Sequence, residues 1–286
     1  NVSTLAPTPG AFSAEATSGA GGTSVGVAGA LAINAVRTRS EALILNGAAV
    51  AANGHDVTIT ATNTAMNSAK ARPEISGGMS PEVGVGPSLA LNIVENVTRA
   101  ELEDGAALTA AAGLTLAATS AQTVTTNAES GADSTGATVI SPSVAISVVN
   151  NTSTTRVGTG ALLTLTGTLN AMATHAGTTT TTAAGNTTAT NVAVGAALAL
   201  NFTNDTTTAT TARTINAGGA VSFNALASMP AIASATASAK GGQKNSDRPA
   251  NGVDQQVGEQ RSYGNQMAAS NVAAGSGATA TPAART

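Results

Sequence analysis

Residues 24–34 read SVGVAGALAIN, a stretch in which bulky and small side chains alternate. On an extended chain, alternate residues point to opposite faces. The bulky residues are Val25, Val27, Leu31 and Ile33, and the small ones are Gly26, Ala28, Ala30 and Ala32. Neither face carries a charge, so we expect both faces to be covered, with the bulky residues filling the inside of the fold.

The composition favours a thin, layered β structure. Aromatic residues are 1% of the 286 residues and charged residues 9%, there are 31 Gly, and Cys and Trp are absent. A conventional globular core needs large side chains to fill its centre. The absence of Cys excludes disulfide and thiolate-metal frameworks. The chain starts with Asn1 rather than Met, from which we expect a processed chain or a fragment.

The opening stretch recurs along the chain. Its core appears as ALAIN at 30–34, SLALN at 88–92, SVAIS at 143–147 and ALALN at 197–201, at steps of 58, 55 and 54 residues. Each copy is followed by a short segment (47–52, 105–110, 160–165, 212–217) and then by a third strand of about six residues that starts at Val57, Leu114, Leu169 and Val221, with a loop after it. The unit is therefore strand, turn, strand, turn, strand and loop.

Units of this length predict an all-β fold, a parallel β-solenoid (β-helix) built from ~55-residue repeats. An immunoglobulin-like sandwich needs about 100 residues per unit, whereas solenoid units of ~20 to 50 residues stack on their neighbours. We predict one repeat domain over 1–286: a partial unit at 1–22, units at 23–80, 81–137, 138–190 and 191–239, an inserted loop at 240–265 and a partial unit at 266–286. The sequence leaves open whether one unit makes one wide coil or two narrower ones.

Two columns of charge support parallel stacking. Counted from the ALAIN asparagine, the third place holds Arg37 and then Glu95, and the seventh holds Glu41 and then Arg99. Opposite charges in reciprocal order are expected where equivalent residues lie side by side on neighbouring strands.

A polar column falls at the end of each ALAIN-like segment. Its members are Asn34, Asn92, Ser147 and Asn201. Stacked amides can hydrogen-bond along the stacking axis, and Asn also suits a bend in the strand. Both interpretations stay open at this point.

With the repeat defined, residues 83–119, VGVGPSLALNIVENVTRAELEDGAALTAAAGLTLAAT, resemble the repeats of very large bacterial surface and secreted proteins. These are adhesin-like and autotransporter-passenger-like chains with β-solenoid bodies. The resemblance covers most of residues 20–240 and implies an extracellular or cell-surface location with a structural or adhesive role. It brings no catalytic residues, and the calcium-binding glycine-aspartate nonapeptide of toxin repeats is missing here.

No motif predicts an enzyme or a cofactor. A carbohydrate-active β-helix needs acids and bases gathered on one face, and those of this chain are scattered. The tightest acidic group is Glu101, Glu103 and Asp104, which we interpret as a solvated turn with a cation site as the alternative. His55 and His175 are expected at the surface or in turns.

Charge and hydropathy indicate which partners are not expected. A net charge of −3 with no basic patch predicts no nucleic-acid partner, and no apolar run is long enough for a transmembrane segment. Threonine rows such as Thr58, Thr60 and Thr62 decay in later units, so an ice-binding plane is not expected.

Two functions follow as hypotheses. The first is a structural extracellular protein, a subunit or segment of a self-associating fibre or cell-surface stalk. Its predicted assembly face is the small-residue plane of Ala30, Ala90 and Ala199, expected on the outside of the coil. The alternative is an adhesin that binds a host or cell-surface ligand through variable loops at 70–82 and 240–265.

Overall fold

The computed structural model describes residues 10–19, 24–74, 83–133, 138–242, 258–263 and 266. Residues 1–242 and residues 243–286 form two compact units. In the second unit, residues 258–263 and Gln266 are helical. The partial repeat predicted at 266–286 lies outside the described residues apart from Gln266.

The first unit contains sixteen described strands. In chain order they are β1 (Gly10–Gly19), β2 (Val25–Val27), β3 (Ala30–Ile44), β4 (Ala49–Ala51), β5 (Val57–Glu74), β6 (Val83–Val85), β7 (Ser88–Leu102), β8 (Ala107–Thr109), β9 (Leu114–Asp133), β10 (Thr138–Val157), β11 (Leu163–Leu165), β12 (Leu169–Thr188), β13 (Val192–Thr211), β14 (Ile215–Ala217), β15 (Val221–Ser228) and β16 (Ala231–Lys240).

The long strands form two parallel sheets. Sheet A joins β1, β5, β9, β12 and the pair β15 and β16, whereas sheet B joins β2 and β3, β6 and β7, β10, and β13. In sheet B the pairing places Asn34 opposite Asn92, Asn92 opposite Ser147, and Ser147 opposite Asn201. The predicted all-β parallel fold is confirmed, and each turn of the chain makes one wide coil that crosses sheet B and then sheet A.

A narrow third face closes one end of each coil. The short segments predicted between the long strands form β4, β8, β11 and β14, which pair as β4 with β8 and β11 with β14. An isolated parallel bridge between Ala111 and Leu165 connects these two pairs. Asn53 and Gly54, in the turn that leads from β4 to β5, both take positive φ angles (51° and 83°), a conformation that glycine and asparagine adopt most readily.

The strands of sheet A are longer than the sequence indicated. The third strand of each unit was expected to end after about six residues, yet β5, β9 and β12 have 18, 20 and 20 residues. Much of what was predicted as loop therefore continues the sheet. The predicted loop at 70–82 is wrong in its first part, because residues 70–74 belong to β5.

The inward face of sheet B is the small one, which reverses the sequence prediction. Ala30, Ala32 and Ala90 are buried, whereas Leu31, Ile33 and Leu89 are exposed. The small residues pack against alanines on the inner face of sheet A, including Ala69 and Ala128. The bulky residues therefore do not fill the coil, because small side chains on both inner faces let the two sheets pack directly on each other.

Glycines show how closely the sheets approach each other. A Cβ atom on Gly185 in sheet A would collide with the backbone of Ala196 in sheet B, and one on Gly195 would collide with the carbonyl oxygen of Gly185. No side chain fits between these backbones. This close approach explains why the pattern of small residues is kept from coil to coil.

Among the described residues, the buried leucines cluster near the third face. There Leu102, Leu108, Leu114, Leu163 and Leu169 form one buried cluster. The cluster lies where three faces meet, so the space is wider and needs branched side chains. A smaller cluster of Val94, Val124 and Val149 lies farther along the two long sheets.

Candidate interaction surfaces

An extended apolar face covers the first half of the outer side of sheet B. We call the following residues the apolar face: Val25, Val27, Leu31, Ile33, Ala35, Val83, Val85, Leu89, Leu91, Ile93, Thr138, Ile140, Val144, Ile146, Val148, Val192, Val194, Leu198, Leu200 and Phe202. They occupy five columns on four neighbouring coils, and Thr138 is their only polar member. The outward direction follows from the buried residues that alternate with them.

The outer side of sheet A has a different character. Threonine recurs there, at Thr62, Thr119 and Thr174 in one column, and charged side chains follow. Arg72 and Glu129 form an ion pair at 2.8 Å on this side. Within the described strands, the broad surface that lacks charged side chains is therefore the apolar face, in which Thr138 is the one hydroxyl-bearing residue.

The assembly face predicted from Ala30, Ala90 and Ala199 is wrong as an exposed surface. Ala30 and Ala90 are buried within the chain's own core, and Ala199 packs against the same cluster. The small plane is covered by sheet A of the same chain. The surface left for a partner is the apolar face, on the opposite side of the same strands.

The predicted charge columns are confirmed. Arg37 donates to Glu95 across neighbouring coils at 2.8 Å, and Arg99 donates to Glu41 at 2.9 Å. Both pairs lie beyond the apolar face, in the second half of the outer side of sheet B. Hydrogen bonds from Arg39, and to a smaller extent from Arg99, lower the pKa of the Glu41 carboxyl.

Exchanging the charges of one column tests the pairing. We expect Arg37→Glu to lower the free energy of unfolding by about 0.5 kcal/mol, since it places two carboxylates side by side. The effect is small because the Arg37 and Glu95 side chains are 68% and 44% exposed. The double variant Arg37→Glu with Glu95→Arg should recover most of the loss in urea unfolding at low salt. Absence of recovery would contradict this neighbour relation.

The acidic cluster is an ion-pair network rather than a cation site. The Glu101 side chain is only 2% exposed, and its two oxygens accept hydrogen bonds from Arg99 at 2.8 and 2.7 Å. Asp104 accepts two bonds from Arg156 at 3.1 Å, and Glu103 accepts the backbone N–H of Asn46. Within the described part of the chain, no group of three acidic or histidine ligands forms a metal site.

The network shifts the ionisation of its members. Hydrogen bonds from Arg156 and then from Thr159 hold the pKa of Asp104 well below its usual range. The hydrogen bonds to Glu101 raise the pKa of Arg99. The arginines neutralise the carboxylates from which a cation site would be built, so the cation alternative for Glu101, Glu103 and Asp104 is wrong.

A single guanidinium joins three coils beside this network. Arg213 donates to the carbonyl oxygens of Gly158 at 2.5 Å, Ala106 at 2.9 Å, Thr159 at 2.9 Å and Glu103 at 3.2 Å. Burial lowers the pKa of Arg213. These bonds satisfy carbonyl groups of the turns near β8 and β11, and the turns are fixed to one another through Arg213.

The polar column inside the coil is a ladder over one step. Asn34 Nδ2 donates to Asn92 Oδ1 at 3.1 Å. Ser147 instead contacts Thr126 and Thr181 of sheet A, with both oxygen–oxygen distances 2.7 Å. Asn201 makes no side-chain hydrogen bond within the described residues. The column lies within continuous strands, so the ladder interpretation fits the first pair better than a bend does.

A second buried polar group crosses the coil between the two sheets. Asn96 receives a hydrogen bond from Thr38 at 2.6 Å and donates to Ser120 at 2.8 Å.

His175, in the same column of sheet A as Ser120, is 1% exposed, and its Nε2 lies 3.1 Å from the sulfur of Met229. Burial lowers the pKa of His175. The predicted surface position of His175 is therefore wrong, whereas His55 is exposed as expected.

Three features of the structure were not predicted from the sequence: the contacts of Arg156, the contacts of Arg213 and the inward position of His175. The contact of Arg156 with Glu101 could have been predicted, because the two residues occupy equivalent positions in neighbouring coils, as the residues of the charge columns do. Arg213 stands in a short segment whose counterparts carry no charge. Its role depends on the path of three turns, which the sequence pattern does not encode.

Comparison with protein-family models, with curated proteins and with solved structures gave no match. None of the helical residues described forms a segment long and apolar enough to cross a bilayer. Of the predicted binding loops at 70–82 and 240–265, residues 75–82, 243–257 and 264–265 lie outside the described residues, whereas Lys240 ends β16 and residues 258–263 are helical.

Proposed function

We propose that this chain is a structural segment of an extracellular fibre or cell-surface stalk that is built by stacking parallel coils. One observation carries the proposal: every long strand pairs in register with its neighbour through all four coils, from β3 to β7, β10 and β13. In such an array each coil pairs with the coils next to it, and stability is added coil by coil.

The edges of the stack support the same function. Within the described residues β3 pairs only with β7, and β13 pairs only with β10, so each has one side without a strand partner. Unpaired backbone groups on a long strand accept a further parallel strand. The resemblance of residues 83–119 to repeats of large bacterial surface proteins supports the extracellular location.

Duplication of whole coils tests this proposal. In a variant with residues 81–190 repeated in tandem, the added units enter the stack in register. We expect one cooperative unfolding transition with a higher midpoint, since two coils add two interfaces. The matched control repeats residues 81–157, which places two sheet B strands in succession, and it should lose cooperative unfolding.

Two results would contradict the proposal. The first is equal behaviour of the in-register and out-of-register duplications. The second is binding of cells or surfaces by the parent chain and its loss on deletion of residues 241–263, which would favour the adhesin hypothesis. Circular dichroism during urea unfolding reads the first, and a surface-binding assay reads the second.

A further inference from the structure

We propose that the apolar face of sheet B is the docking surface for a second copy of this chain, packed face to face. This pairing goes beyond the proposed stalk, because it uses the side of the coils rather than their edges. Most of the bulky members of the apolar face are more than a third exposed, including Leu31, Ile33, Val192 and Phe202. These side chains have no group that can form a hydrogen bond with water.

The area matches what a stable dimer requires. Eleven residues along the strands and four strands across give roughly 36 by 19 Å, or about 700 Å². The largest apolar patch on a typical monomer is about 300–600 Å². Two such faces together bury about 1,400 Å², which is within the range of specific protein interfaces.

The shape of the face favours another sheet as its occupant. Alternate residues of adjacent parallel strands project as a flat, ridged plane, and two planes of this kind pack at about 10 Å with their strands nearly aligned. The face carries no charge that would select a partner of opposite sign. An identical face is complementary to it under a two-fold axis, the usual symmetry of homodimers.

The charged half of sheet B sets the orientation. A two-fold axis parallel to the stacking direction, through the middle of the apolar face, reverses the strands of the second copy. Arg37, Glu41 and Arg99 of each copy then lie beyond the edge of the other and stay in water. The same axis brings Phe202 against Val192 of the second copy, so the largest side chain of the face is buried.

Sedimentation equilibrium tests the pairing. We expect the parent protein to form a dimer that does not grow further by this face, whereas stacking at coil edges is open-ended. Leu89→Glu with Val144→Glu places carboxylates on two paired strands in the centre of the face. We expect the dimer to weaken at least about a thousandfold, because each change counts twice across a two-fold axis.

The matched control uses β10, which also carries Val144, and its other neighbour β13. Thr152→Glu with Thr206→Glu also places two carboxylates on paired outward positions, but in the charged half of sheet B. This variant should keep the dimer. A second variant, Phe202→Asn, should weaken it at least about tenfold. Circular dichroism shows that each variant is folded.

Three results would overturn the assignment. They are a monomeric parent at every concentration, equal dissociation of both double variants, and flotation of the parent, but not of Leu89→Glu with Val144→Glu, with phosphatidylcholine vesicles. The last would identify a lipid surface as the occupant. If the duplicated chain fails to fold while the parent still pairs at this face, the stalk proposal fails and the pairing stands.

Discussion

Ala90→Lys is expected to abolish the cooperative unfolding transition, whereas Leu89→Lys is expected to preserve it. Ala90 is 0% exposed and packs among alanines of both sheets, including Ala32, Ala69 and Ala145. A lysine there has neither the space nor a partner for its charge. The combined cost of overpacking and of an unpaired buried charge exceeds about 4 kcal/mol.

Leu89 is the matched control because it directly precedes Ala90 on β7 and points outward. Its side chain is 37% exposed, so a lysine can extend into water at a cost of about 1 kcal/mol. The measurement is urea-induced unfolding of both variants, followed by circular dichroism at a protein concentration low enough to exclude pairing. The opposite ranking would mean that the bulky residues face inward and would contradict the observed orientation of sheet B.

The sequence identified the strands of sheet B and their register, but not which face is inside. Alternation fixes the two sets of residues, because the period of a strand is two residues. The assignment of the bulky set to the interior rested on the rule that large apolar residues fill cores. Around Gly185 and Gly195 and in the alanine cluster, the inner faces of the two long sheets approach too closely for Leu or Ile.

The length of sheet A was missed for a related reason. Beyond the first six residues of its long strands, sheet A places polar side chains such as Asn63, Ser120 and Thr126 inside the coil. These residues resemble loop residues when read along the sequence. They are stable in a strand because they pair across the coil, as Ser147 does with Thr126, which only the facing sheet reveals.

The charge columns were predictable because their partners are equivalent residues one coil apart. The same comparison, extended to the next column, pairs Glu101 with Arg156, which approach to 3.5 Å. The cation site was suggested because Glu101, Glu103 and Asp104 were considered without the residues at equivalent positions in the neighbouring coil. Arg213 has no equivalent partner, since it binds backbone carbonyl groups rather than a side chain.

Arg213→Met is expected to lower the free energy of unfolding by about 3 kcal/mol. The change removes the four hydrogen bonds that the guanidinium donates. These bonds are accepted by the carbonyl groups of Glu103, Ala106, Gly158 and Thr159. Hydrogen bonds to charged groups contribute about 1.5–3 kcal/mol each in favourable cases, and water replaces part of this at the more exposed carbonyls. Methionine keeps most of the aliphatic packing.

Arg213→Lys distinguishes the donor geometry from the charge. An ammonium group cannot reach carbonyl groups on three coils at once, so we expect it to recover less than half of the loss. Arg72→Met is the matched control, since Arg72 makes one exposed ion pair with Glu129 and should cost less than about 1 kcal/mol. The measurement is the urea midpoint at constant slope. Equal losses for Arg213→Met and Arg72→Met would show that the turns near β8 and β11 are held together without Arg213.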